Sequence, residues 1–308
     1  MTTEWLKKIA RLYLPVYHYE TETMKIIYAG YSSIKMNYYI RMLLNGNNHH
    51  TFLGRRWYWK IQDLIKTYNP DIVVAEISQI ALKHYRKYNG YLIPEWAAMR
   101  IFIDRPMIEI CKRQVSDFSN VARLIRKYDL TYEILTDDES FKYFYERMYL
   151  PFIRKRHKNE AWIINLNSLW RSTPSPVIIA IKEGGVIVGA SIIRKSGDSL
   201  SLIYLGLLDG NEDYLRHGVI GAIYYFGILE GKKMDCQYLD VGGSRPFLTD
   251  RLTEFKLGLG AKFVSEPTHG RDFLWLGIND GSSAAQKFIR SNPFIYLTEN
   301  NKLDISGK

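Results

Sequence analysis

The sequence predicts an α/β (α+β) fold, two halves in tandem built around central mixed sheets. Helix and strand patterns alternate across residues 24–128, which is the signature of an α/β half. Three apolar, β-branched runs between Pro176 and Leu208 then follow one another through short Gly turns. A long helical pattern and a further apolar strand come next, and 308 residues suffice for two compact halves.

Taken in order, residues 3–14 show Trp5, Ile9 and Leu12 at helical spacing, with Lys7, Lys8 and Arg11 elsewhere on the turn. This predicts an N-terminal amphipathic helix within residues 1–20, docked on its own protein or lying on a membrane surface. A strand is expected from Lys25 to Ala29, a helix from Met36 to Leu44, and a polar turn at Asn45-Gly46-Asn47-Asn48. A helix from Trp57 to Tyr68 should stop at Asn69-Pro70, and Asp71 to Glu76 reads as a buried strand. Ile93-Pro94-Glu95-Trp96 suggests a loop, Arg100 to Asp104 a strand, and Glu109 to Tyr128 a helix.

The second half is expected over residues 131–295. Tyr132 to Leu135 reads as a strand, and Thr136-Asp137-Asp138-Glu139 has the spacing of a capping box. The helix it opens should end before Pro151. Val177 to Lys182, Val186 to Arg194 and Leu200 to Leu208 form the meander, with turns at Gly184-Gly185 and Ser196-Gly197-Asp198. Asn211 to Glu230 reads as one long helix closed by Gly231. The strand ending at Leu239, a short helix around Thr249 to Leu257, strands Lys262 to Ser265 and Phe273 to Ile278, and a helix from Ser283 to Arg290 complete this half. Residues 296–308 read as a loose polar tail.

Composition narrows the function classes. Hydrophobic content of 46% with 24% charged residues is that of a globular protein, not a disordered one. Two cysteines, Cys111 and Cys236, exclude a disulfide framework or a Cys-based zinc cluster and suit a reducing cytoplasm. No apolar run reaches the roughly 20 residues of a membrane-spanning helix. The net charge of +10 is concentrated early: residues 1–100 hold 14 Lys/Arg against 7 Asp/Glu. An anionic partner such as a cofactor phosphate, a nucleic acid or an anionic membrane fits that surplus, as does a simple role in solubility. Adjacent His49 and His50 point to different sides of any regular element and have no obvious third ligand, so no metal site is expected.

One stretch carries most of the chemistry. Tyr238-Leu239-Asp240-Val241-Gly242-Gly243-Ser244-Arg245 ends a strand in a glycine step, and Thr253-Glu254-Phe255-Lys256 lies on the short helix after it. A reaction that develops negative charge on oxygen needs a positive or N–H-lined place for it, and its nucleophile needs somewhere to leave a proton. Lys256 can supply that charge, or be a surface lysine with a solvated head. Asp240 can orient a nucleophile or take its proton, or cap the turn that follows it. Gly242, Gly243 and Ser244 can form an anion nest with Arg245 as counter-charge. Tyr204 and Tyr238 can protonate a leaving group or pack as strand rings. Arg154, Arg156 and His157 can meet substrate phosphates or complement a helix end. Trp57-Tyr58-Trp59 beside Arg55 and Arg56 can stack on bases or start a helix.

The element order from Thr131 onward, with Asp240, Gly242, Gly243, Phe255, Lys256 and Gly260 in sequence, resembles the GNAT acyltransferase superfamily and its FemAB-like branch. The resemblance implies a GNAT-like fold in both halves and an N-acyltransferase or aminoacyltransferase with Lys256 and Asp240 in its cleft. It implies no permanently bound cofactor, and acyl-CoA or aminoacyl-tRNA as the anionic donor. Arg216-His217-Gly218-Val219-Ile220-Gly221 keeps the first and last residues of the family's phosphate loop, with Val219 in place of its middle glycine, and Arg216, Gly218 and Gly221 are the candidate phosphate-binding residues there. The acceptor amine and the oligomeric state are left open. The rival readings are a non-catalytic nucleic-acid binder built on the basic first hundred residues, and a degenerate GNAT scaffold.

Overall fold

The computed structural model describes residues 12–44, 49–112, 117–157, 163–173, 176–264 and 272–306. The chain forms two compact units, and neither is continuous in sequence. Unit 1 runs to Ala98 and resumes over Gly243–Glu254 and from Val264 onward, while unit 2 takes Met99–Gly242 and Phe255–Phe263.

Unit 1 starts with β1 (Tyr13–Glu20) and β2 (Lys25–Ala29), followed by α1 (Ser33–Leu44) and β3 (Thr51–Trp57). Then come α2 (Ile61–Tyr68), β4 (Ile72–Ser78) and β5 (Gly90–Pro94). The chain passes along β6 (Ala97–Phe102) to unit 2, which contains α3 (Phe118–Lys127), β7 (Thr131–Leu135), α4 (Asp138–Tyr143), α5 (Leu150–His157) and α6 (Leu166–Ser172). Its meander is β8 (Val177–Glu183), β9 (Val186–Ser196) and β10 (Ser199–Leu207), followed by α7 (Val219–Lys233), β11 (Tyr238–Ser244), α8 (Arg251–Gly258) and β12 (Lys262–Val264). Finally β13 (Asp272–Ile278), α9 (Ser283–Ser291), β14 (Ile295–Leu297) and β15 (Leu303–Ile305) complete unit 1.

Each unit is built on a mixed sheet. Unit 1 has the strand order β15-β14-β5-β13-β4-β2-β1-β3, and the second sheet has β12-β6-β11-β10-β9-β8-β7. Near-continuous apolar strands arise because both faces are buried. In β8, Ile179 and Ile181 enter one core while Ile178 and Ala180 enter another. In β2, Ile26 and Tyr28 face one core while Ile27 and Ala29 face the other. In unit 2 an antiparallel meander, a long helix and a parallel return strand beside β10 follow in the order that the GNAT resemblance implies.

Several expectations are corrected. The boundary near residue 130 is not where the units divide, because β6 joins the sheet of unit 2 and β13 is inserted between β4 and β5 of unit 1. Tyr13 and Leu14 are in a strand; the remainder of the expected N-terminal helix, through Arg11, lies outside the described residues, as does the 45–48 turn. Trp57 ends β3 instead of opening a helix. The helix after Asp137 runs on through Pro151, because Phe144–Tyr149 is wound as a π-helix whose looser bonding accommodates the missing N–H. The pattern over residues 211–230 is broken at Gly218, which has φ +83°, and α7 continues past Gly231. The tail is not loose: β14 and β15 pair, and β14 joins β5.

Candidate active site

In unit 2 the parallel pairing of β10 with β11 lasts only from Ser199↔Tyr238 to Ser201↔Asp240, after which the two strands no longer pair. Two sequence features shape this parting. On β10, Tyr204 has φ +50° and sits in a bulge where the register with β9 shifts between Ile203 and Leu205. A non-Gly residue at positive φ is strained, and bulges re-aim the strand beside functional sites. On β11, Gly242 has φ +70°, and a side chain there would meet nothing within 4 Å. The glycine is therefore required by the backbone, and it faces open space.

Asp240 fixes this turn. Its Oδ1 accepts from the Gly242 N–H at 2.8 Å, and its Oδ2 lies 3.6 Å from Nε of Arg100 on β6. The Arg100 guanidinium also lies 5.6 Å from the centroid of the Tyr238 ring. Tyr238 and Asp240 are two apart on a strand and so share a face, which lets one arginine meet both.

Lys256 reaches the same turn from α8. Its residue is only 4% exposed, and Nζ donates to the Gly242 carbonyl at 3.4 Å. The helix puts it there because Thr253 and Lys256 are three apart on the buried face, with Leu259 just beyond, while Phe255 on the flank packs edge-on to Tyr224 of α7. Asp250 starts α8 by accepting from the Leu252 and Thr253 N–H groups. The reading of Lys256 as a solvated surface lysine is corrected. An ammonium in such a place carries a desolvation cost that a surface lysine would avoid.

The structure thus brings together Asp240, Gly242 and Lys256, and adds Arg100 and the Tyr204 bulge. The Tyr204 ring itself packs edge-on to Tyr149 at 5.6 Å, with the cluster under β8 and β9. Arg100 was not singled out from sequence, although an arginine inside the apolar run Ala97-Ala98-Met99-Arg100-Ile101-Phe102 is itself the signal.

Other candidates lie elsewhere. A β-carbon on Gly218 would come 2.8 Å from Leu124, and one on Gly221 would come 2.8 Å from Val121, both side chains of α3. These glycines serve close helix packing, Val219 is fully buried, and Arg216 is turned outward to Asp213 at 2.6 Å. His217 stacks on Tyr128 and pairs with Glu183. The expected phosphate loop is therefore occupied by α3. Arg154 and Arg156 are exposed on α5, Arg156 lying over Phe152, and the side chain of His157 is outside what is described. Gly243, Ser244 and Arg245 belong to unit 1 by their contacts. There the Arg245 guanidinium lies 4.6 Å from the ring centroids of both Tyr38 and Trp96, and its carbonyl accepts from Thr253 Oγ1.

Burial raises the pKa of both cysteine thiols, which disfavours the thiolate needed of a nucleophile. Among the described residues no cluster of His, Cys, Asp and Glu could hold a metal, and no helix is long and apolar enough to cross a membrane. A hollow of about 360 Å³ near α4, bounded by Leu135, Tyr143, Met148, Ile178 and Ala190, includes none of the residues at the strand parting.

No protein-family profile and no curated protein sequence matches the chain. Among solved structures, FemX is similar with a TM-score of 0.45 at 12% identity, over 94% of this chain and 93% of that one. L-PGS from Bacillus licheniformis is similar with a TM-score of 0.43 at 10% identity, over 89% and 83% of the two chains. A GCN5-related N-acetyltransferase from Sphaerobacter thermophilus gives 0.39 at 12% identity, over 82% and 72%.

Proposed function

We propose that unit 2 is a GNAT-like N-acyltransferase or aminoacyltransferase whose acyl carbonyl is bound in the parting of β10 and β11. The observation that carries this reading is a parallel pair ending after three residues with a buried lysine at its rim. Strand edges that have parted leave backbone groups for a ligand to engage, and the adjacent low-dielectric environment strengthens any charge aimed at the site.

The amine nitrogen of the acceptor attacks the acyl carbon, and the carbonyl oxygen gathers negative charge. Lys256 supplies the positive charge that stabilises this oxyanion, and its fixed geometry removes the reorganisation a solvated lysine would need. Collapse of the intermediate breaks the carbon–sulfur bond of an acyl-CoA or the ester bond to the ribose oxygen of an aminoacyl-tRNA, and the proton given up by the amine goes to the departing sulfur or oxygen. Asp240, held by Arg100 and the Gly242 N–H, positions the incoming amine through its carboxylate. Arg154 and Arg156 are the cations proposed to meet donor phosphates; Arg216 to Gly221 are left out because α3 covers the glycines.

The test is transfer of a labelled acyl group to added amines from a panel of acyl-CoA thioesters and aminoacyl-tRNAs. Label in an acid-stable amide, lost on Asp240→Ala and Lys256→Met, is expected. No transfer from any donor by folded protein would overturn the reading.

A further inference from the structure

Unit 1 has an exposed strand face of its own, independent of any acyl transfer by unit 2. Among the described residues, strand β3 is the edge of its sheet and pairs with β1 alone. Its register is Tyr13↔Trp57 and Pro15↔Arg55, then, after a shift, Tyr17↔Phe52. One residue of β1 separates the last two pairs, and two residues of β3, Leu53 and Gly54, oppose it. Gly54 has φ +83°, the conformation of a bulge glycine.

This bulge has a consequence for side-chain direction. On a regular strand Phe52 would point opposite to Arg55 and Trp57. Cross-strand partners share a face, and Tyr13, Pro15 and Tyr17 alternate regularly along β1. The extra residue therefore turns Phe52, Arg55 and Trp57 to one face of the edge strand. Arg56, opposite Leu14, is turned to the other. Trp59 extends the row by stacking on Trp57 at 4.9 Å with planes 9° apart, and Arg55 lies over Tyr31 at 5.7 Å. These rings are open to solvent: Phe52 is 55% exposed, Tyr31 44% and Trp59 42%.

We infer that this face binds single-stranded nucleic acid, with bases stacking on the exposed rings and Arg55 pairing with the intervening phosphates. Charge complementarity selects the occupant, since this end of the chain is basic and its row interleaves a cation with flat rings. Single-strand surfaces combine those two elements. An amphipathic membrane-binding surface instead separates its apolar face from its cations.

Fluorescence anisotropy of the full chain with a labelled oligoribonucleotide of roughly 12 nucleotides, within the site size of such surfaces, is the test. Binding should weaken steeply between about 50 and 200 mM salt. Trp59→Ala and Phe52→Ala, both at solvent-exposed rings, should each weaken it roughly fivefold or more, the loss expected for one stacked base. Arg55→Gln should weaken binding several times more than Arg56→Gln, although both remove one charge. Absence of binding, equal effects of the two arginine substitutions, or capture of phosphatidylglycerol vesicles with no oligonucleotide binding would each overturn the inference.

Discussion

At the scale of single residues, Asp240 has two duties that substitution can separate. Asparagine keeps an oxygen for the Gly242 N–H but loses the charge that faces Arg100. Asp240→Asn should cost under about 1 kcal/mol of stability, and Asp240→Ala about 1–2 kcal/mol, because the alanine also leaves a turn N–H unpaired. Denaturant midpoints read this difference, and transfer should fall in both variants. His84 sets a pH dependence in unit 1. It is packed against the rings of Tyr58, Tyr85 and Tyr88, and desolvation, with the Lys87 charge adding to it, lowers its pKa below the ordinary 6.5. The unfolded chain binds this proton more readily. The contribution is therefore fully present above pH 6.5 and is lost as pH falls through 6.5 toward the lowered folded value. Urea midpoints between about pH 7.5 and 5.5 should fall on acidification, and His84→Gln should flatten that part of the curve.

At the scale of elements, the π-helix over Phe144–Tyr149 and the β10 strand are pressed together at Gly206. A β-carbon there would lie 2.4 Å from the Met148 carbonyl carbon, which is backbone and cannot rotate away. Gly206→Ala should therefore cost about 1–3 kcal/mol, seen as a lower denaturant midpoint. A midpoint equal to that of the parent would mean that this close approach is absent. The elements were legible in sequence wherever both faces of a strand are apolar, as in Val177 to Ile181 and Ile72 to Ala75, because burial leaves an unbroken run. Bulges were not legible. Tyr204 and Gly54 change side-chain direction through one dihedral angle, and period-two patterning carries no trace of that until the partner strand is known. Pro151 misled for a related reason, since a helix that has loosened beforehand no longer requires the N–H that proline lacks.

At the scale of the whole molecule, strand order is what local sequence could not supply. The strand Asp272–Ile278 was readable as a strand, but its partners β4 and β5 lie far earlier in the chain. A chain truncated after residue 263 should consequently lose amide protection in β4 and β5, because the strand that hydrogen-bonds both is gone. Unchanged protection there would contradict the assigned topology. The candidate site was partly legible: Asp240, Gly242 and Lys256 are neighbours as expected, whereas Gly218 and Gly221 pack against α3 and Arg216 turns outward. An ammonium buried at a strand parting carries a desolvation cost, and methionine of similar length removes that cost together with the hydrogen bond to the Gly242 carbonyl. The most direct measurement is therefore Lys256→Met, followed for both stability and acyl transfer. A stability loss under about 2 kcal/mol, with transfer reduced at least roughly a hundredfold, is predicted. A less stable variant with transfer intact would show that Lys256 serves the fold and not the chemistry.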